Sequence, residues 1–188
     1  MNYTLQVSDL PAIVREQKAL HAGDRVILSG TVYTARDAAH KRLTAVMREQ
    51  GADALPFPLR DAVIYYAGPT AAPPGRPIGA CGPTTSGRMD PYAPMLLDAG
   101  LIAMIGKGER NAAVCEAIVR NSAVYFCAVG GAGALAAAHI TACEVLAYPE
   151  LGCESVKRLT VSEFPLLVAI DAHGGNLFTE GRNAFGAK

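Results

Sequence analysis

The chain has 188 residues and a mass of 19.6 kDa, and its 51% hydrophobic and 18% charged residues are typical of a globular protein rather than a disordered one. It carries 17 Lys plus Arg and 17 Asp plus Glu, so its formal net charge is zero and its pI is near 6.9. Proteins that hold nucleic acid through the phosphate backbone normally have a basic excess, so nonspecific nucleic-acid binding is excluded as the main function.

The length favours a single domain over residues 1–188, with a flexible C-terminal tail at about residues 179–188. The N-terminal segment lacks the basic-then-apolar pattern of a signal peptide. The most apolar stretch, residues 122–146, is interrupted by glycines and carries a His and a Glu, so we expect no membrane span. The five cysteines are widely spaced with no Cys-x-x-Cys motif, which is typical of reduced cytoplasmic thiols and predicts no metal site on this chain.

The first 50 residues alternate between strand and helix patterns. We expect a strand at residues 3–7, a helix at 11–20 and a strand at 25–34. Residues 37–50 have apolar residues at helical spacing, with Asp37 as the expected N-cap and Gly51 as the expected stop.

A strand at residues 62–68 leads into a long segment, residues 69–94, that is rich in proline and glycine and has no periodicity. Such a stretch in a compact domain is usually functional or disordered. Because it lies between two strong strand patterns and combines hydroxyls with arginines, we interpret it as a binding loop.

The remainder of the chain alternates between strands and helices, which predicts the α/β class with a parallel or mixed sheet covered by helices. The expected elements are a strand at 101–107, a helix at 109–121, a strand at 123–129, a short helix at 131–140, a strand at 143–148, and closing strands at 154–161 and 164–171.

Two candidate residues follow the strand at 25–34. Arg36 comes at the carboxyl end of that strand, where open α/β sheets bind their ligands. The alternative is a surface arginine that is ion-paired with Asp37 or with a neighbouring glutamate. His40 is either a hydrogen-bonded helix residue or a catalyst, and the sequence leaves both open.

The segment GPTTSGRMD, residues 82–90, places hydroxyls and free backbone N–H groups at the start of an expected helix. Helix N-termini attract anions, and the fork of Arg88 is suited to a carboxylate. The alternative is a helix cap with a solvent-facing arginine. Lys107 lies between two glycines at the end of the strand at 101–107 and adds a third cation, or else is simply solvated.

A further motif has the form of a dinucleotide-binding turn. Gly131, Gly133 and Ala136 match the pattern G-x-G-x-x-G/A, and Glu150 lies where a ribose-binding acid is expected. A Gly/Ala-rich helix that packs closely on a sheet explains the same residues. A non-catalytic nucleotide- or small-anion-binding module therefore remains an alternative function.

Several motifs together resemble one family. GDRVILSGTVYTARDAAHKRL, YYAGPT and IGACGPTTSGRMDPYAPMLLDAGLIAMIGKGER are similar, in this order, to the C-terminal (β) region of class I iron–sulfur fumarate hydratases and L-tartrate dehydratases. The likeness runs from about residue 10 to about residue 172 and includes AVYFCAVGGAGAL and YPELGCESV. It implies a swivelling β/β/α-type domain and a hydro-lyase that interconverts fumarate and L-malate, or converts L-tartrate to oxaloacetate.

The resemblance also implies a cofactor and a partner. In this family a [4Fe–4S] cluster acts as Lewis acid and is held by three cysteines of the α region, which is either fused to the β region or a separate subunit. Because the likeness covers only the β region, it implies a β subunit in a hetero-oligomer, active with an α subunit that holds the cluster.

The resemblance assigns roles to residues in the matching motifs. Thr84 is the expected catalytic residue, taking part in proton transfer with an aspartate of the α region, since an unaided threonine is a poor base. Cys81 receives no role. Residues expected to bind the substrate are Arg36, Arg88, Lys107, Thr85 and Asp37.

Overall fold

The computed structural model describes residues 1–186. Its strands are β1 (Asn2–Gln6), β2 (Arg25–Thr34), β3 (Val63–Tyr65), β4 (Ala103–Gly106), β5 (Val124–Cys127), β6 (Ile140–Ala147) and β7 (Val156–Ile170). Its α-helices are α1 (Asp37–Gln50), α2 (Ala93–Asp98), α3 (Ala112–Arg120), α4 (Gly133–Ala138) and α5 (Leu177–Phe185). Short 3-10 helices lie at Val7–Asp9, Ala52–Ala54, Ser86–Met89 and Pro149–Glu154, and a π-helix lies at Pro11–Glu16.

The strands form one mixed sheet in the order β1-β2-β3-β4-β5-β7-β6. Strands β1 to β5 run parallel to one another, whereas β7 runs antiparallel to β2, β5 and β6. Because β7 also pairs with β2, the sheet closes on itself through β2, β3, β4, β5 and β7. The α/β class with a mixed sheet covered by helices is confirmed.

The short central strands are buried on both faces, which explains why they read as continuous apolar runs rather than as alternating patterns. Val63 and Tyr65 of β3 belong to one hydrophobic cluster, whereas Ile64 belongs to a second cluster on the other face. Helices α1, α2 and α3 cover this second face, with α1 contributing residues such as Leu43. The carboxyl ends of β3 and β4 are therefore fixed in a close-packed core.

The predicted elements match the structure best where local signals are strong. Strand β2 and helix α1 have the expected bounds, and Gly51 ends α1 with a φ of +87°. The helix expected at 11–20 ends at Glu16, before Lys18, which has a left-handed φ of +47°.

The two expected closing strands are in fact the single strand β7. It remains continuous because Glu163 adopts a φ of +52° at a bulge opposite Ser29, whose Oγ accepts a hydrogen bond from Glu163 N at 2.9 Å.

The C-terminal segment forms helix α5 as far as Phe185, within the region where we expect a flexible tail. Its flexibility and the single-domain organisation stay predictions, and residues 187 and 188 lie outside the described residues. No helix in residues 1–186 is long and apolar enough to cross a membrane.

Candidate functional site

Two of the predicted cations lie at the carboxyl edge of the parallel strands. Arg36 follows β2 and Lys107 follows β4, while Gly68 follows β3 and Gly130 follows β5. A Cβ atom on Gly68 would lie 2.8 Å from Arg36 Nη1, and one on Gly130 would lie 3.4 Å from Lys107 Cδ. Each cationic side chain thus lies against the segment that leaves the neighbouring strand.

Residues 84–86 run between the ends of β3 and β4. Thr84 donates both its backbone N–H and its hydroxyl to the carbonyl of Tyr66, at 2.7 and 2.8 Å. Thr85 bridges to Lys107 in parallel register, and Ser86 N donates to Lys107 O at 2.9 Å. Thr84 is half-buried and Thr85 is exposed. The hydroxyls predicted from the sequence therefore lie beside Lys107.

The helix expected to start in residues 82–90 is a short 3-10 turn here, and the anion-binding role of this segment stays a prediction. Ser86–Met89 is a single 3-10 turn, and the N–H groups of Thr84 and Ser86 already donate to protein carbonyls. So short a turn has no macrodipole of consequence. The N–H groups of Thr84 and Ser86 are therefore not available to an anion.

A chain of hydrogen bonds fixes the loop that carries Lys107. Lys107 N donates to Ser86 Oγ at 3.1 Å, and the hydroxyl of Tyr125 lies 2.8 Å from Ser86 Oγ and 2.9 Å from Gly108 O. Gly106 is required here because a Cβ atom would overlap Ser86 Oγ. The strand ends and the threonine segment are thus held in one register.

Arg36 is ion-paired with a carboxylate far away in the sequence. Its Nη2 lies 3.2 Å from Glu154 Oε1, and Ala38 N donates to Glu154 Oε2 at 3.2 Å. The N-cap position belongs to Arg36, so the prediction of Asp37 as N-cap was wrong. The physical reason is that Glu154, on the 3-10 helix before β7, accepts from a free N–H at the start of α1.

Asp37 instead pairs with Arg88, through Oδ2 and Nη2. This ion pair brings Arg88 next to the residue that follows Arg36. The Arg88 side chain is 53% exposed, whereas that of Arg36 is 16% exposed. Lys107 has no ion-pair partner among residues 1–186. The site therefore combines three cations with two resident carboxylates, one beside each arginine.

A buried ion pair that the sequence analysis missed lies beneath the cations. Arg110 Nε donates to Asp90 Oδ1 at 2.6 Å, and Asn111 N donates to Asp90 Oδ2 at 2.7 Å. The Arg110 guanidinium lies over the rings of Tyr66 and Tyr125, with Cζ 5.3 and 5.1 Å from their centroids. Since Asp90 follows Arg88 by two residues and Arg110 follows Lys107 by three, the ion pair connects the loops that carry Arg88 and Lys107. The sequence gives no signal for this pair, because Asp90 and Arg110 look like ordinary charged loop residues.

His40 is a hydrogen-bonded helix residue in this structure. Its side chain is fully buried, its Nδ1 lies 3.0 Å from Arg36 O, and its ring stands edge-on to Tyr66 at 5.3 Å between centroids. Burial, with a smaller contribution from the charge of Arg110, lowers the pKa of His40 to about 4, although the hydrogen bond to Arg36 O opposes this. The imidazole is therefore neutral near pH 7.

The thiols do not resemble a cluster site. All five cysteines are free, and burial raises the pKa of Cys81 to about 12, so the thiolate that binds iron is disfavoured there. Within the part of the chain that the structure describes, no three His, Cys, Asp or Glu residues are grouped so as to hold a metal ion.

The dinucleotide-like turn is used for packing in this structure. Cys81 N donates to Gly133 O at 2.9 Å, and a Cβ atom on Gly82 would lie 3.2 Å from the Cα of Gly133. Glu150, the expected ribose-binding acid, is ion-paired with Arg42. These contacts match the close-packing explanation of the glycines.

A comparison with known protein families agrees with these motifs: the model described as Fumarase C-terminus matches residues 2–181. The chain belongs to the Fumarase C-terminus family. An anaerobic class I fumarate hydratase of Escherichia coli strain K12 is 39% identical over 158 residues, which cover 83% of this chain and 28% of that enzyme. Fumarate hydratase 2 of Leishmania major is 36% identical over 170 residues, covering 89% of this chain and 30% of the relative.

A third relative matches over most of its own length. The L(+)-tartrate dehydratase subunit beta of Escherichia coli strain K12 is 32% identical over 180 residues, which cover 93% of this chain and 87% of that subunit. The chain thus spans less than a third of the length of the two fumarate hydratases but nearly the whole of a β subunit. The recognition of this family from its sequence motifs is confirmed.

Proposed function

We propose that this chain is the β subunit of a two-component hydro-lyase that adds water to, or removes it from, a small dicarboxylate. The proposal is supported by the convergence of Arg36, Arg88 and Lys107 at one edge of the sheet, in a chain that matches a tartrate dehydratase β subunit over most of its length. Fumarate with L-malate, and L-tartrate with oxaloacetate, are the proposed substrate pairs, because the relatives are fumarate hydratases and a tartrate dehydratase. The proposed compartment is the cytoplasm, where free cysteines remain reduced.

In this proposal the arginines and Lys107 bind the two ends of the substrate. A guanidinium has five N–H donors, so Arg88 can keep Asp37 on Nη2 and offer its other donors to a carboxylate. Lys107, which has no carboxylate partner in residues 1–186, supplies an ammonium for the other end or for the hydroxyl of the substrate. Asp37 and Glu154 then orient the arginines rather than neutralise the whole site.

Thr84 is the proposed proton-transfer residue of this chain. Its hydroxyl donates to Tyr66 O, so its oxygen is left as an acceptor for the substrate or for a group of the partner. A carbonyl cannot take up the hydroxyl proton, and an unaided threonine is a poor base at neutral pH. Thr84 therefore requires an acid–base group from the α subunit, and Thr85 beside it is left for substrate contact.

The [4Fe–4S] cluster is proposed to belong to the α subunit, where it acts as a Lewis acid. The residues of this chain do not fit a cluster, because no metal-binding group of His, Cys, Asp or Glu occurs in residues 1–186 and Cys81 is a buried thiol. The work of this chain is to bind, orient and enclose the substrate, and docking of the partner excludes water from the site.

The first experiment compares this chain alone with its complex. The chain is purified with and without an α-like subunit that carries a reconstituted cluster, and turnover of fumarate and of L-tartrate is measured without oxygen. We expect turnover by the complex and none by the chain alone. Robust turnover by the lone chain refutes the two-component proposal.

The second experiment changes Arg88, whose side chain is exposed. Charge-assisted hydrogen bonds to a carboxylate contribute about 1.5–3 kcal/mol, so Arg88→Ala in the complex should lower kcat/KM by roughly 10- to 100-fold. Exposed ion pairs contribute only about 0–1 kcal/mol to stability, so its Tm should stay within about 4 °C of the wild type. The matched control is Arg120→Ala, which breaks the exposed ion pair with Asp98 away from the site. A large loss of stability with unchanged kinetics would leave Arg88 only a structural role.

A further inference from the structure

The start of α1 carries a buried imidazole that the proposed reaction does not use. His40 has no exposed surface, and it packs on Tyr66 with the Arg110 guanidinium on the same ring. Tyr92 lies near its other side, at 6.0 Å between ring centroids. Burying an imidazole costs free energy unless its nitrogens are hydrogen-bonded, so the partners of Nδ1 and Nε2 indicate the role of the ring.

The hydrogen bonds of His40 determine which nitrogen carries the proton. The carbonyl of Arg36 can only accept, and it receives both the backbone N–H of His40 at 2.7 Å and the contact from Nδ1 at 3.0 Å. The proton of the neutral ring is therefore on Nδ1. Nε2 has no hydrogen-bond partner in the described residues, although it is buried.

Burial keeps the His40 ring neutral by lowering its pKa, and the two charged groups near it act in opposite directions. Arg110 on the cluster side disfavours a second positive charge, whereas Asp37 one turn earlier on α1 favours it. Tyr66 and Tyr92 offer uncharged rings. A ring that stays neutral over the physiological range keeps one fixed tautomer, with a single N–H donor.

The Arg36 side chain has few contacts of its own that fix its position. Arg36 ends the extended segment that follows β2, with φ −117° and ψ −166°, and its carbonyl is the first acceptor of α1. Its guanidinium has one ion pair at 3.2 Å, and its buried Nε has no hydrogen-bond partner within residues 1–186. The position of the side chain therefore depends on the direction in which the backbone leaves the strand.

We propose that His40 is a positioning residue that fixes Arg36 for carboxylate binding by donating its Nδ1–H to the Arg36 carbonyl. The inference rests on the proposed function in that Arg36 binds the substrate. His40 touches neither the substrate nor the reacting atoms. The Asp90–Arg110 pair, which ties the loops of Arg88 and Lys107 together, packs on the same Tyr66 ring that His40 contacts, so the supports of the three cations belong to one buried cluster.

The variants that test this differ in which nitrogen they replace. An asparagine places its amide near the position of Nδ1, so His40→Asn keeps a donor to Arg36 O. A glutamine places its amide near Nε2, so His40→Gln is a matched polar variant that lacks that donor. The first readout uses the full chain labelled with 15N and does not require activity. The Arg36 Nε–H resonance should be slow to exchange with water in the wild type and in His40→Asn, and exposed to exchange in His40→Gln.

The second readout uses the complex with the α-like subunit. A positioning role for a substrate-binding arginine predicts that His40→Gln raises KM about tenfold with less than about a threefold fall in kcat, while His40→Asn stays within about twofold of the wild type. Thermal unfolding of each variant separates this effect from a general loss of folding.

Three results would overturn the inference. They are a wild-type Arg36 Nε–H that exchanges freely, a His40→Gln variant with unchanged exchange and KM, and a wild-type imidazole whose 15N shifts place the proton on Nε2. The last measurement also decides the case if His40→Gln does not fold. If the wild-type complex turns over neither fumarate nor L-tartrate while the exchange pattern holds, the proposed function fails but the positioning of Arg36 stands.

Discussion

Acidification should destabilise this protein through His40. The pKa of His40 falls from an ordinary value of 6.5 to about 4 on folding, because the ring is fully buried beside Arg110. Between these pH values the unfolded chain binds one proton that the folded chain excludes, so stability is lost as the pH falls. At about 1.4 kcal/mol per pH unit, the free energy of unfolding should drop by roughly 3 kcal/mol between pH 7 and pH 4.

The assay is urea unfolding of the full chain at several pH values, for the wild type and for His40→Asn. The carboxylates of Asp98 and Glu150, whose pKa values are lowered by hydrogen bonds from Arg120 and Arg42, titrate identically in both proteins and cancel. The wild type should lose roughly 3 kcal/mol more than the variant over this range. Parallel pH profiles for the two proteins would refute the reasoning, because they would mean that His40 takes up its proton equally in the folded and unfolded chains.

Two further predictions concern groups around the site. Gly68→Ala should displace the guanidinium of Arg36, which a Cβ atom would approach to 2.8 Å, and so raise KM in the complex with little change in Tm. The control Gly181→Ala lies in helix α5 with open space around it, so it should leave KM unchanged and can only raise Tm slightly, because alanine favours a helix more than glycine does. Tyr125→Phe removes a hydroxyl with two hydrogen-bond partners, so it should lower the free energy of unfolding, measured with urea, by about 1–3 kcal/mol. Its control, Tyr66→Phe, removes a buried hydroxyl without a partner in the described residues and should change that free energy by less than about 1 kcal/mol.

The parts of the fold that the sequence predicted well are those with local causes. Helix α1 has its expected bounds because the apolar spacing and Gly51 are both local signals. The closing strands were predicted as two because Ser162 and Glu163 interrupt the apolar pattern. Their continuity in β7 depends on a bulge and on the hydroxyl of Ser29, which lies 134 residues away from Glu163.

In the candidate site, too, the predictable residues are those whose positions follow from the local strand and helix pattern. The positions of Arg36 and Lys107 at strand ends follow from the α/β pattern, because parallel strands bring their carboxyl ends to one edge. The carboxylates beside the arginines could not be predicted, since Glu154 reaches Arg36 from a segment more than 100 residues later. The same holds for Arg110, whose burial depends on the rings of Tyr66 and Tyr125.

The loop that begins at Pro69 is pinned at its base, where Thr70 N donates to Ala80 O at 3.0 Å and Ala80 N donates to Thr70 Oγ1 at 2.9 Å. Residues 71–77 lie beyond these two hydrogen bonds and are exposed. Because the free energy of loop closure rises only slowly with length, a peptide tag inserted after Pro74 should leave the threonine segment undisturbed. Residues 71–77 are therefore a suitable place to attach a probe of subunit docking, close to the edge that the proposed partner covers.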